Sequence, residues 1–575
     1  MSLAIIGKII SGGQTGTDRA GLDAAISHGI PVGGHCPKGR KAEDGVIPSH
    51  YPLVETGSPN YAVRTYMNVR ESDGTLVLNI GPLNGGTLAT VEYAAKRRKP
   101  CLVVQLDPID RSFSEVADWM ADNDIRTLNI AGPRESKAPG TYDHSLRFLN
   151  RLISLLKRRR LRYGRQKTTS LARGLFSPET WPNIFLVGGI VRDLLIGRES
   201  NDIDLASTLP QPFFESLGFR RIEGKRTAPI MFRHQPGIGK LEVTLLSPEE
   251  SIEHDLWRRD FRCNALAMTL SGEIIDPLGG RRDIKKQRLR HCSVRSFVDD
   301  PLRMFRAFRF EADGWRMATE TESLIMGRDW EETLKAIPVE RFMREMLKAL
   351  ETREPGGFFR KMLELNVGRN FLPEIFKMAV IPAGPIEHHP EGDLFIHSCQ
   401  VVERISMTTC DPLARFCAFF HDLGKLATDP ALYPKHHGHD EAGFGMAHVF
   451  CDRLKLPASW KRALAWTNRL HNNANKWEEL RDSTKIRMAE QAVKVGIAEI
   501  LPLVSAADRP RSPAMPDWEA TLRAVRMTTE ELGIAPLQLE MMDPGKKTAL
   551  ILQKRVEQLR KALTKSAAQK KAPGK

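Results

Sequence analysis

Short apolar runs alternate with helically periodic stretches through the first 150 residues. IIGKIISGG, GTLVLNIG and PCLVVQL read as buried strands, while TDRAGLDAAISHG and TLATVEYAAKRR read as helices. That alternation predicts a parallel sheet with helices on both faces. Beyond residue 180 the pattern changes to a mixed one, with strands predicted near FLVGG, NDIDLAS, KLEVTLL and EIIDPLGG. From about residue 295 onward apolar positions recur at helical spacing, so an all-α region follows. No fixed period repeats along the chain. The expected organisation is multidomain, divided at 1–150, 151–178, 179–290, 291–365, 366–512 and 513–575. The last dozen residues, small, basic and ending in Pro and Gly, are expected to be disordered.

Composition narrows the class. The chain has 575 residues, 41% hydrophobic and 27% charged, which excludes wholesale disorder, collagen and disulfide scaffolds. No uncharged apolar run approaches the ~18–20 residues of a membrane span. The opening MSLAIIGKIISGG is broken by Gly7 and Lys8 and reads as a first strand, not a signal peptide. Eight cysteines without a C-x-x-C pair are expected to be buried thiols in a reducing cytoplasm.

The charge is unevenly placed. Residues 1–150 hold 16 Lys+Arg and 16 Asp+Glu, so the formal +15 belongs to the remainder. Residues 151–173 contribute nine basic residues and no acid, and KSAAQKKAPGK adds four more. A neutral domain joined by a basic linker to a part that handles a polyanion is the expectation.

In the first domain, Ser11-Gly12-Gly13-Gln14-Thr15-Gly16-Thr17 follows a strand and opens a helix, and Asn84-Gly85-Gly86-Thr87 repeats that arrangement. Two such turns at the carboxyl ends of neighbouring strands form a ligand crevice. Gly12, Gly13, Thr15, Gly85 and Gly86 are the candidate contacts for a nucleotide or oxyanion. SGGQTGTDRAGLDAA, CPKGRKAEDG and the GGT…E turn, within residues 8–150, resemble the molybdenum-carrier family. That family is similar to Rossmann-like nucleotide-binding proteins of the cytokinin-riboside phosphohydrolase type. The resemblance implies a Rossmann-like fold, with molybdate as one candidate anion.

The centre carries the strongest chemistry. In FLVGGIVRDLLIGRESNDIDLAS, Gly188 and Gly189 make a turn before a helix holding Arg192, and Asp202 and Asp204 follow at i and i+2. Strand alternation turns both carboxylates to one face, where hard oxygen ligands suit Mg²⁺. Glu242 in KLEVTLL is either a third carboxylate or a surface acid. Arg259, Asp260 and Asn264 in RRDFRCNA, DPLGGRRD, and then Asp300, Arg303, Arg306 and Arg309 in DDPLRMFRAFRF follow in order. These motifs, over roughly residues 180–350, resemble the class II tRNA nucleotidyltransferases, the CCA-adding enzymes and poly(A) polymerases.

The resemblance implies an α+β nucleotidyltransferase head that transfers nucleoside monophosphates from CTP or ATP to the 3′ hydroxyl of tRNA or another RNA. It puts the Mg²⁺ carboxylates at Asp202 and Asp204 and the triphosphate loop at Gly188, Gly189 and Arg192. Nucleotide contacts fall on Arg259, Asp260 and Asn264, and base reading on Asp300 and Arg303, with Arg306 and Arg309 beside them. An Arg fork can donate to cytosine O2 and N3 while a carboxylate accepts from the exocyclic amine. Only SPEESIEHDLW separates LEVTLL from RRDF, where CCA-adding members carry an extended loop. The shortening is typical of CC-adding enzymes.

His397, His421, Asp422 and Asp508, within FIHSCQVV, AFFHDLGK and SAADRPR, form a ligand set for a divalent metal. HDLGK and its flanks resemble the HD phosphohydrolase domain fused to some CCA enzymes, with His439 and His471 as further candidate ligands. The resemblance implies phosphatase or 2′,3′-cyclic phosphodiesterase chemistry, suited to repair of RNA 3′ ends. Three functions stay open: a cytoplasmic CC- or CCA-adding enzyme without membrane attachment, a poly(A) polymerase, and a non-catalytic RNA-binding scaffold sensing a small ligand.

Overall fold

The computed structural model describes residues 6–198, 202–222, 229–236, 239–247, 249–509 and 514–571, without the side chains of 159–167, 202 and 565–571. The chain divides into two compact units: Met1–Ile252 with Ala267–Ile275, and Glu253–Leu266 with Asp276–Lys575.

The first unit begins with a five-stranded parallel sheet. Its order is Val32–Gly33, Lys8–Ile10, Thr127–Ala131, Gly74–Asn79, Cys101–Gln105. All six residues of Gly74–Asn79 are buried, as an apolar run in a central parallel strand requires. A single helix, Thr141–Arg173, then runs through the stretch expected as a linker. Phe148, Leu149, Leu152, Ile153 and Leu156 form its apolar stripe and are buried with Leu76, Leu128 and Ile130. At about 1.5–3 kcal/mol for each large buried apolar side chain, that stripe fixes the first half of the helix to the domain. The neutral domain therefore extends past residue 150. The basic run hid the helical spacing of the leucines beneath it.

A second, seven-stranded sheet follows. Its order is Arg220–Ile222, Ile230–Gln235, Gly239–Leu245, Asp202–Ser207, Ile184–Val187, Ala267–Thr269, Ile274–Ile275. Asp202–Ser207 and Gly239–Leu245 run parallel and the other pairs antiparallel. This is the mixed α+β segment expected from the pattern.

The second unit is helical. Phe305, Phe342, Phe358 and Phe371 fill part of its core, with Phe342 and Phe371 stacked at 4.5 Å. Arg415, 2% exposed, spends its guanidinium on the carbonyls of Leu350, Thr352, Ser406 and Thr409. It thereby closes the carboxyl ends of the helices Val339–Leu350 and Leu394–Ser406. Of the tail expected to be disordered, the part up to Lys571 is helical, within Pro544–Lys571, and 572–575 lie outside the described residues. Its Ala, Lys and Gln residues are strong helix formers. No helix among the described residues is long and apolar enough to cross a membrane.

Candidate functional site

In the mixed sheet, Ile184–Val187 turns at Gly188 into the helix Gly189–Ile196. Gly188 has φ 75° and ψ −137°, a conformation that side-chain-bearing residues rarely adopt. Arg192, one turn into the helix, lies with Nε and Nη2 2.9 and 2.7 Å from Asp193 Oδ1. In the neighbouring strand Ile203 and Leu205 are buried, so alternation leaves positions 202 and 204 on the opposite face, where Asp204 is half-buried. Asp202 pairs in register with Lys240 and Asp204 with Glu242. Lys240 and Glu242 form an ion pair, so Glu242 already has a cation beside it.

The other residues expected to hold nucleotide lie in the second unit. Arg259 donates to Asp255 Oδ2 at 3.0 and 2.8 Å. Asp260, 5% exposed, accepts from Phe261 N at 2.7 Å and Asn264 Nδ2 at 3.1 Å, and Arg306 Nη2 lies 2.8 Å away. Burial pushes its pKa up, but the Arg306 charge and these two hydrogen bonds outweigh burial and hold it below the usual range. Asp300 and Arg303 take separate partners. Asp300 faces Arg341 at 3.3 Å, and Arg303 donates to the carbonyls of Arg258, Arg259 and Ser296. Arg309 pairs with Glu345 at 2.8 Å.

The histidines and aspartates of the helical region converge. His397 Nε2 lies 3.1 Å from Asp508 Oδ1 and 3.8 Å from Asp422 Oδ2, and His421 Nε2 lies 3.6 and 3.3 Å from the same two atoms. On the other side of Asp422, Oδ1 faces His439 Nε2 at 3.4 Å and His471 Nε2 at 3.2 Å. Asp440 Oδ1 lies 3.3 Å from His439.

Every one of these four imidazoles has its Nδ1 engaged. His397 uses Glu391 at 2.6 Å, His421 the Ala418 carbonyl at 2.8 Å, His439 the His436 carbonyl at 2.6 Å and His471 the Asn468 carbonyl at 2.8 Å. An Nδ1–H donated outward leaves each Nε2 lone pair aimed at the centre, the arrangement a metal ligand needs.

His397 Nε2, His421 Nε2 and Asp422 Oδ1 are buried without a well-aligned hydrogen-bond partner, which fits a cation as the missing neighbour. Burial lowers the His421 pKa, but Asp422 and Asp508 outweigh it and raise the value to about 10. A cavity of about 380 Å³ opens onto Asp422, His439, His471 and Asp508, with Lys435, His437 and Arg509 on its walls.

In the N-terminal domain the two glycine loops leave strands that are separated by Thr127–Ala131 rather than adjacent. Arg64 packs against Gly12, where it leaves no room for a Cβ, and pairs with Asp18 at 2.9 Å. Thr15 bonds to Glu43, and Gly85 faces Lys137. Gly13 packs on Leu53 and Ile47, while Gly86 is exposed.

Residues 9–153 match the circularly permutated YpsA SLOG family and residues 184–290 the poly A polymerase head domain family. Residues 315–378 match the family described as the probable RNA- and SrmB-binding site of polymerase A. The multifunctional CCA protein of Methylococcus capsulatus is 35% identical over 329 residues, 53% of this chain and 76% of that protein. The chain belongs to the multifunctional CCA protein family.

In this family member the YpsA-type segment precedes the head. A candidate molybdenum carrier protein from Syntrophus aciditrophicus is 46% identical, with 26% of this chain and 95% of that one covered at a TM-score of 0.25. The Thermotoga maritima CCA-adding enzyme complexed with tRNA is 20% identical, with 67% and 91% covered at a TM-score of 0.45. Both resemblances read from the motifs in residues 8–150 and 180–350 agree with the family matches. Glu391, Asp440 and Arg341 were not among the residues singled out in the sequence. Glu391 does lie in the HHPEGD flank.

Proposed function

We propose that the protein adds C and A from CTP and ATP to the 3′ end of tRNA, with Mg²⁺ held at Asp202 and Asp204. The observation that carries this reading is the pair of acidic positions on one face of a strand beside the Gly188 turn, in a chain of the CCA protein family. In the reaction the tRNA 3′ oxygen bonds to the α-phosphorus, the α–β bridging bond breaks and pyrophosphate leaves. Mg²⁺, when bound, supplies charge for the developing negative oxygens. The Gly188–Gly189 helix start and Arg192 orient the triphosphate. Asp260, kept ionised by Arg306, and Asn264 hold the nucleoside side. Asp300 accepts from the exocyclic amine of cytosine or adenine, and Arg303 donates to acceptor atoms of the base ring. The segment ahead of RRDF carries the helix Ile252–Trp257, and the family membership favours complete CCA addition over CC addition. Labelled CMP and AMP incorporated into tRNA lacking its 3′ end, with Mg²⁺ dependence, is the expected result; no incorporation would refute the reading.

The helical His–Asp cluster supports a second activity, hydrolysis of a phosphate ester at an RNA 3′ end by a divalent metal. His397, His421, Asp422 and Asp508 would hold one ion, and His439, His471 and Asp440 offer donors for another across Asp422. Lys435, His437 and Arg509 line the cavity as a cationic wall for phosphate. Unchanged extension of cyclic-phosphate-ended tRNA after substitution of His421 and Asp422 would refute repair. In the N-terminal domain, Arg64, Arg134 and Lys137 beside the glycine loops favour an anionic ligand, a nucleotide or an oxyanion.

A further inference from the structure

The helix Thr141–Arg173 has two faces of different character. Its apolar stripe, from Phe148 to Leu156, belongs to the N-terminal core. At about 100° per residue, Arg147, Arg151 and Arg158 fall within about 40° of each other on the face opposite that stripe, spread along about 16 Å of axis. All three are exposed, and among the described residues none of them makes an ion pair.

A solvated helix face normally interleaves both signs, because like charges four residues apart repel and opposite ones attract. From residue 151 to 173 this helix has nine basic residues and no acid. A partner that brings negative charge relieves the repulsion along such a face. Between Arg151 and Arg158 lies a groove of about 450 Å³, lined also by Phe113, Asn150, Ser154 and Leu155. Guanidinium groups flanking an aromatic and aliphatic floor, with an amide and a hydroxyl, suit phosphodiesters carrying a ribose or base against the floor. The far end of the same helix is fixed to the mixed sheet, where Arg173 Nε donates to the Leu270 carbonyl at 2.6 Å. The stripe is therefore carried on one continuous element that is anchored in both domains of the first unit.

We propose that this arginine stripe is an RNA-docking surface that grips the backbone of the tRNA substrate outside the head. The proposal rests on the reading of the protein as a tRNA enzyme. The helix begins in the YpsA-type segment and ends before residue 184, where the head family match starts. The N-terminal domain would thus supply RNA affinity to the transferase through its last helix.

The test is binding of tRNA to the full-length protein without CTP or ATP, measured by fluorescence anisotropy between 50 and 200 mM KCl. The triple variant Arg147→Gln, Arg151→Gln, Arg158→Gln is compared with the wild type and with the triple Arg→Lys variant. Each phosphate contact contributes about 0.7–0.9 to the slope of log affinity against log salt. Three engaged arginines therefore account for about 20- to 40-fold of the affinity lost over that salt range. The Gln variant should lose that part of the salt dependence and bind more weakly at 50 mM, while the Lys variant keeps it. Under turnover, KM for tRNA should rise with kcat and KM for CTP unchanged. A Gln variant with the wild-type slope and affinity would overturn the proposal and turn attention to an acidic protein partner. Since binding is read without nucleotides, a wild type that binds tRNA but transfers nothing would sink the functional reading alone.

Discussion

Glu391 offers a sharp test of the helical metal site, because it does for His397 what backbone carbonyls do for the other three histidines. Its Oε1 accepts from His397 Nδ1 at 2.6 Å and lies 3.0 Å from His389 Nδ1. The hydrogen bond from His397, only partly opposed by burial, holds its pKa down to about 2, so it is ionised throughout the working range. Carboxylates in this position fix the imidazole tautomer and raise its basicity as a ligand. Loss of such an outer partner typically costs about 10- to 100-fold in metal affinity, or about 1.4–2.7 kcal/mol. Glu391→Gln keeps an acceptor but not the charge and should fall near the lower bound. Glu391→Ala should fall near the upper. The assay is Mn²⁺ titration of chelator-stripped full-length protein by calorimetry, with nucleotide addition in Mg²⁺ measured in parallel and expected to be unchanged. Wild-type Mn²⁺ affinity in Glu391→Ala would refute the assignment of His397 as an oriented ligand.

Three further outcomes follow from the geometry. Asp204→Asn should reduce nucleotide addition by about 10²–10³-fold, as removal of one charge-stabilising group at a reacting centre does, while Mn²⁺ binding at the helical site is retained. In the metal-free protein the raised His421 pKa, about 10 against 6.5, means that a bound metal displaces a proton at pH 7. Mn²⁺ affinity measured from pH 6 to 9 should therefore rise with pH. The same shift stabilises the metal-free fold below pH 6.5, and that contribution is lost as pH rises through 10. Arg415→Met should lower stability by about 2–4 kcal/mol, read as an earlier thermal transition, because buried carbonyls of two helix ends lose their donor.

Much of the architecture was legible because each level of the pattern agreed. The apolar run Leu76–Leu78 lies at the centre of the fully buried strand Gly74–Asn79, and the apolar/acidic alternation of NDIDLAS leaves Asp204 opposite Ile203 and Leu205. His397, His421, Asp422 and Asp508, which converge in the structure, were picked out together because His and Asp in that order suit a metal and resemble an HD domain. Groups that act through them were not. Glu391 reaches His397 from a loop, and Arg341 meets Asp300 from 41 residues away. No spacing rule encodes those meetings. The stretch 151–173 misled for a different reason: its charges dominate the composition, while Leu152, Ile153 and Leu156 carry the quieter helical signal that decides the structure.

The central claim is nucleotidyl transfer that completes a CCA end. The most direct measurement supplies purified protein and Mg²⁺ with tRNAs ending at the discriminator base, at C and at CC, and with CTP, ATP or both, resolving products at single-nucleotide length. The account predicts two Cs from CTP, one A on the CC-ended substrate from ATP, and a stop after CCA when both are present. Extension of any RNA into long A tails, or no extension at all, would contradict it.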